Sequence, residues 1–218
     1  MASRAVVFVP LEAGPRSLSR PRRRSQDRTM ATELPVPVEV TMSDGRSATI
    51  RAPRESDRAA LLSLHDQLDD ETLRLRFFNV NHAAGPHYVD HVLTGRASDV
   101  TALVAVVGGE LVALGTAETV AAQVAEVAFV VAERERGHGL ATLLLEHLAS
   151  ICRGRGITRL VADVLFENTQ MAQVFDDAGY SVARHANVGV LTYEMGTERV
   201  RARGPRRPCT AHDAAPPG

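Results

Sequence analysis

The chain contains no lysine and no tryptophan: all 25 of its basic residues are arginine. It therefore offers no side-chain amine to chemistry that modifies amines. Only two cysteines occur, Cys152 and Cys209. They are too few and too differently placed for a disulfide framework or a metal site, and read as reduced thiols of a cytoplasmic protein. The histidines lack metal-ligand spacing, so no metal is expected. No apolar run approaches the roughly 20 residues of a membrane helix, and Ala5 to Leu11 is too short for a signal-peptide core. A soluble chain without membrane contact is the expectation.

What is present fits one globular domain. The 218 residues are 44% hydrophobic and 23% charged, enough for a core of ordinary size. Charge is unevenly placed. Residues 1–30 hold seven arginines against two acids, and 198–218 hold five against two. That leaves thirteen arginines and 22 acids in 31–197, a net of −9. An acidic middle disfavours nucleic acid and favours a cationic partner, although solubility alone also accounts for such a surface. Residues 1–34 and 198–218 are rich in Arg, Pro and Gly and show no period, so both are expected to be unfolded around a domain at 35–197.

Within 35–197 strand and helix signals are mixed. Val36–Met42 and Ala48–Ala52 flank the turn Ser43-Asp44-Gly45-Arg46, a hairpin pattern. Helical segments are expected from Arg54 through Leu68, from Asp69 to Phe78 and from Pro86 to Leu93. Thr101–Val107 and Leu111–Thr119 form a second hairpin around Gly108-Gly109. Strands follow at Val124–Val131, Leu160–Phe166, Val182–Arg184 and Val188–Tyr193, with helices after Gly139 and from Asn168 to Ala178. Hairpins before a βαβ unit predict an α/β chain with a mixed, mostly antiparallel sheet flanked by helices.

The stretch Glu126–Cys152 organises the rest. A strand runs into Arg136-Gly137-His138-Gly139-Leu140-Ala141. A helix follows, whose Leu140, Leu143, Leu144, Leu148, Ile151 and Cys152 form one apolar stripe. First-turn N–H groups lack partners within a helix, and the macrodipole favours negative charge there. Glycines at 137 and 139 remove side chains that would hold a ligand's phosphates off the backbone. The turn is thus a candidate pyrophosphate site. It is not a dinucleotide fingerprint, which needs a third glycine where Thr142 stands, nor a P-loop, which needs a lysine.

The pattern that does fit is (Gln/Arg)-x-x-Gly-x-(Gly/Ala), at Arg136, Gly139 and Ala141. With the strand before it and the segment Asn168, Met171-Ala172-Gln173-Val174-Phe175, Gly179-Tyr180 after it, it resembles the acetyl-coenzyme A motif of the GNAT N-acetyltransferase superfamily, over roughly 46–195. Gly45-Arg46 through Ile50-Arg51, Leu73 to Phe78, Ala125 to Phe129 and Val164 to Asn168 look like bacterial protein-lysine acetyltransferases. The resemblance implies a GNAT-like fold and acetyl-CoA as co-substrate. Its pyrophosphate would lie on backbone N–H groups of Gly137, His138, Gly139, Leu140, Ala141 and Thr142. Arg136 would add charge, the pantetheine arm would pair with Phe129, Val130 and Val131, and Asn168 belongs to the second cofactor segment. The acceptor is then an amine, most simply a protein lysine. A small amine, or coenzyme A binding without turnover, remains open.

An amine nucleophile must lose a proton before it attacks. Glu126 is the candidate base, a lone carboxylate on the strand face of Val124, Ala128 and Val130, whose burial would raise its pKa. The plain alternative is a strand-end glutamate in solvent or paired with arginine. Asp163 and Glu167 suit a polar face or a helix cap, and the His138 imidazole is expected in solvent. Many family members carry a tyrosine as general acid where this chain has Phe175, which holds no proton to give, so water or direct thiolate departure must serve. Tyr180 is expected in the core.

Overall fold

The computed structural model describes residues 7–8, 37–66, 84–94, 100–187 and 189–199. Two hairpins begin the domain. β2 (Val38–Thr41) pairs antiparallel with β3 (Ser47–Arg51), and β4 (Val100–Val107) pairs with β5 (Glu110–Ala121) across Gly108-Gly109. Between them lie α1 (Arg58–Asp66) and α2 (Ala84–Thr94). The first turn before α1 is a 3-10 turn, Glu55–Asp57, because the Asp57 carboxylate accepts from the Arg54 N–H at 2.7 Å and from Arg51 on β3. The segment expected as a helix at 69–78 lies outside the described residues.

β6 (Val124–Val131), α3 (Leu140–Gly154) and β7 (Arg159–Leu165) form the expected βαβ unit, followed by α4 (Thr169–Asp177), β8 (Tyr180–Asn187) and β9 (Val190–Arg199). The sheet runs β2-β3-β4-β5-β6-β7-β9-β8, antiparallel except for β6 and β7. β9 continues through Glu198 and Arg199, where an unfolded tail was expected, because pairing with β8 extends to Tyr180–Arg199. A two-residue strand, β1 (Val7–Phe8), from the arginine-rich stretch expected to be unfolded, pairs with β7 at Val164 and Asp163.

The two sheet faces are separable by register. Gly115 stands opposite Phe129, and a Cβ on Gly115 would come within 3.2 Å of Leu148 of α3 and of the Phe129 ring. Glycine there lets α3 lie close on the sheet. Phe175 of α4 meets Phe129 edge-on at 6.4 Å, so α4 shares that face. The opposite face carries Thr116 and Glu118, which the Tyr88 hydroxyl (2.8 Å) and His91 (3.3 Å) of α2 reach. α3 buries Leu140, Leu144, Leu145, Leu148, Ala149 and Cys152. Leu145, not Leu143, completes the stripe, and each fully buried leucine contributes roughly 2 kcal/mol. No described helix is long and apolar enough to cross a membrane.

One irregularity positions everything that follows. β6 and β7 are paired only at Val124–Arg159, Ala125–Leu160 and Glu126–Val161. Both strands continue beyond that point without a mutual ladder, so the sheet forks at Glu126.

Candidate active site

The chain leaves β6 through a 3-10 turn at Glu133–Glu135 and enters α3 through Arg136 to Gly139. Gly137 (φ +79°) and Gly139 (φ +84°) adopt left-handed backbone that side chains disfavour. A Cβ on either would meet nothing within 4 Å, so the space outside the helix start is open to a ligand. Leu143 makes the first intrahelical bond, to the Gly139 carbonyl at 3.0 Å. The N–H groups of residues 140–142 therefore have no partner within the helix, the arrangement an anion site requires.

A cavity lies at this helix start. β6 lines it with Phe129 and Val131, and the turn with Arg136, Gly137 and Gly139. Leu140, Ala141 and Thr142 supply its helical wall. These eight were all nominated from the sequence. The Arg136 Nε donates to the Val131 carbonyl at 3.2 Å, which fixes its stem beside the turn. α4 contributes Met171, Gln173 and Val174, from the segment that resembles the family's second cofactor segment, together with Gln170 and Asp177, which the sequence did not single out. Their signal was the helix that follows Asn168, not any residue type.

Three nominated residues lie off the lining. Val130 points to the other face and is buried. Asn168 is 1% exposed, and its side chain accepts the Met171 N–H at 3.0 Å, capping α4. The His138 imidazole stays partly in solvent, as expected, with its Nδ1 3.3 Å from the Asp44 Oδ2 of the β2–β3 turn. Among the described residues no cluster of His, Cys, Asp or Glu could hold a metal.

Glu126 stands where the sheet forks, on the face away from Phe129. Glu118 is directly opposite it on β5. Its Oε1 is buried with no hydrogen-bond partner among the described residues, and so is the Oε1 of Glu118. Burial, then Asp163, then Glu118 push the Glu126 carboxyl up to about 8. Asp163 lies on the half-exposed face of β7, where it accepts from the Thr192 hydroxyl at 2.6 Å. Glu118 is held from outside by His91 at 3.3 Å. Phe175 is 1% exposed and stacks on Tyr193 at 5.0 Å, a core residue. Tyr180 is half-buried against the core, with the Arg199 guanidinium 5.9 Å from its ring centroid.

An anion site at a helix start, an open strand edge beside it and a carboxylate near 8 at the fork can bind an acyl-CoA and deprotonate an amine. Comparison with known proteins identifies the family. The model of the acetyltransferase (GNAT) family matches residues 66–180. The GNAT domain of PAT from S. lividans is 32% identical, superposes with a TM-score of 0.65, and the match covers 78% of this chain and 99% of that one. YncA of Salmonella typhimurium, a putative acetyltransferase solved with acetyl-CoA, shares the fold at 18% identity (TM-score 0.59; 72% of this chain, 98% of that). So does a cAMP-binding acyltransferase from Mycobacterium smegmatis at 23% identity (TM-score 0.51), where the match spans 75% of this chain and 48% of the longer one. The chain belongs to the GNAT family of N-acetyltransferases.

Proposed function

We propose that this enzyme transfers the acetyl group of acetyl-CoA to a lysine side chain of another protein, with Glu126 as general base. The observation that carries the reading is the Glu126 carboxylate: half-buried, without a hydrogen-bond partner on Oε1, and held near 8 where the sheet forks. A carboxylate left that way is costly unless it meets a cationic or proton-bearing group. An incoming ammonium supplies one. Glu126 takes a proton from the amine, the nitrogen attacks the thioester carbonyl, the C–N bond forms and the C–S bond breaks. The thiolate leaves as such or takes a proton from water, since Phe175 has none to give.

The co-substrate's pyrophosphate would lie on the N–H groups of 137–142 with Arg136 beside it. The pantetheine amides would pair with the β6 edge at 129–131 as an added strand. The acidic ring of Glu118, Glu126 and Asp163 favours a cationic acceptor. The 32% identity to the GNAT domain of S. lividans PAT, a protein acetyltransferase, supports a protein acceptor over a small amine.

The test is mass spectrometry of lysate proteins incubated with this enzyme and isotopically labelled acetyl-CoA. New labelled acetyl-lysines are expected on other proteins. Because the chain has no lysine, none of that signal can come from the enzyme itself. Label confined to small amines would overturn the protein acceptor. Glu126→Gln is expected to lower kcat by about 100-fold or more while coenzyme A still binds. Unchanged turnover would remove Glu126 as the base.

A further inference from the structure

The turn that faces the cavity is held from behind by a hairpin nearly ninety positions earlier in the chain. Arg46 donates to Glu135 through both ends of its guanidinium, Nη1 to Oε1 at 3.1 Å and Nη2 to Oε2 at 2.7 Å. Its Nε donates to the Asp44 Oδ2 at 2.7 Å. The same Asp44 oxygen lies 3.3 Å from the His138 Nδ1. The Ser43 N–H donates to the His138 carbonyl at 3.2 Å. Glu135 and His138, the residues on either side of Arg136-Gly137, are thus both tied to the β2–β3 turn.

Glu135 is the unusual member. It is 7% exposed, and it lines the cavity at the start of α3. Arg46 beside it holds its carboxyl below the ordinary glutamate range, so it is ionised at neutral pH. A carboxylate in the wall of an anion site opposes the diphosphate that site is built to take. Arg46 does not line the cavity, so it is not placed to touch the ligand. The charged groups around the turn are Asp44, Glu133, Glu135, Asp177, Arg46, Arg134 and Arg136, with His138 when protonated. Arg46 is the cation bonded to both Glu135 oxygens, so removing it strands that carboxylate in the cavity wall.

We propose that Arg46 is a positioning residue for acyl-CoA binding, cancelling the charge of Glu135 so that the Arg136–Thr142 turn can accept the pyrophosphate. This rests on the reading that the turn binds that pyrophosphate. A bidentate arginine suits the task, since its fork fixes the carboxylate's direction as well as its charge. The pair is partly solvated, which keeps the expected effect moderate.

The experiment is calorimetric binding of coenzyme A, and of pantetheine, which lacks the diphosphate, to the full chain and three variants, with steady-state kinetics alongside. Arg46→Ala is expected to weaken coenzyme A binding about tenfold, raising KM for acetyl-CoA while kcat stays within about twofold. Pantetheine binding should not change. In Arg46→Ala/Glu135→Gln, which removes the stranded charge, most of the lost affinity should return. Glu135→Gln alone should bind coenzyme A as well as the parent or better, and it keeps the proposal testable should Arg46→Ala fold poorly. Coenzyme A affinity unaltered in Arg46→Ala would overturn the proposal. So would a double variant as weak as the single one, a tenfold loss in Glu135→Gln, or equal losses for the two ligands. If the parent enzyme binds coenzyme A no better than pantetheine, the pyrophosphate reading of the turn is what fails.

Discussion

At the scale of the residue, the proposed chemistry depends on how three acids share one patch of sheet. Glu126 owes its raised pKa first to burial, next to Asp163 and last to Glu118. A base works in its deprotonated form, and a carboxyl at about 8 is mostly protonated at neutral pH. The rate should therefore rise as pH passes through about 8. In the free enzyme this limb is read from kcat/KM. Asp163→Asn should move it to lower pH, and Glu118→Gln should move it the same way by less, matching the order of their influence. A limb that stays put in both variants, or moves to higher pH, would show that neither acid acts on Glu126. The sequence singled out Glu126 as a candidate, because one acid interrupts an otherwise apolar strand. It could not disclose Glu118 or Asp163 as its neighbours, because register between strands is set by pairing and not by local pattern. The Asp44 neighbour of His138 was illegible for the same reason, since it comes from a hairpin far away in the chain.

At the scale of the element, α4 is the part of the candidate cofactor wall that the sequence marked as a segment without singling out Gln170 or Asp177. Gln170, Gln173, Val174 and Asp177 project into the cavity only if the helix starts where it does. Asn168 sets that start by accepting the Met171 N–H, one of the first-turn donors without a helical partner. Asn168→Ala should cost about 1 kcal/mol, a fall in melting temperature of roughly 3 °C for a domain of this size. KM for acetyl-CoA should rise several-fold, with the kcat/KM pH limb unmoved, and Asn168→Ser should restore both. A melting temperature unchanged in the alanine variant would show that the cap is dispensable. The helix was legible because Asn, an apolar period and Gly179 mark both of its ends. β6 was legible to the residue because its apolar run has polar breaks at either side. β9 was not, because pairing with β8, which reaches Arg199, carries it past its apolar pattern and past the end of its pairing with β7 at Gly196.

At the scale of the whole molecule, the fork between β6 and β7 is a shared resource. The sequence named the strands on both sides of it, yet not the fork, which exists only because three pairs join strands of eight and seven residues. β7 has β9 along its other edge, so Val7 and Phe8, paired with Val164 and Asp163, lie on the fork side. On the proposed reading that is the opening through which the acyl arm would reach Glu126, where it would compete with β1. The contest is weak on physical grounds. Two strand residues contribute few ladder hydrogen bonds, each worth about 1 kcal/mol net. Val7→Pro/Phe8→Pro removes both N–H donors and makes the pairing untenable without touching the domain. KM for acetyl-CoA should fall by up to about fivefold, the equivalent of roughly 1 kcal/mol, and kcat should hold. The doubly substituted chain should bind pantetheine more tightly by the same factor, because the contested edge meets the arm and not the diphosphate. A KM equal to the parent's would mean that β1 gives way without opposing the ligand. A raised KM would mean that it helps hold β7 in place for the arm.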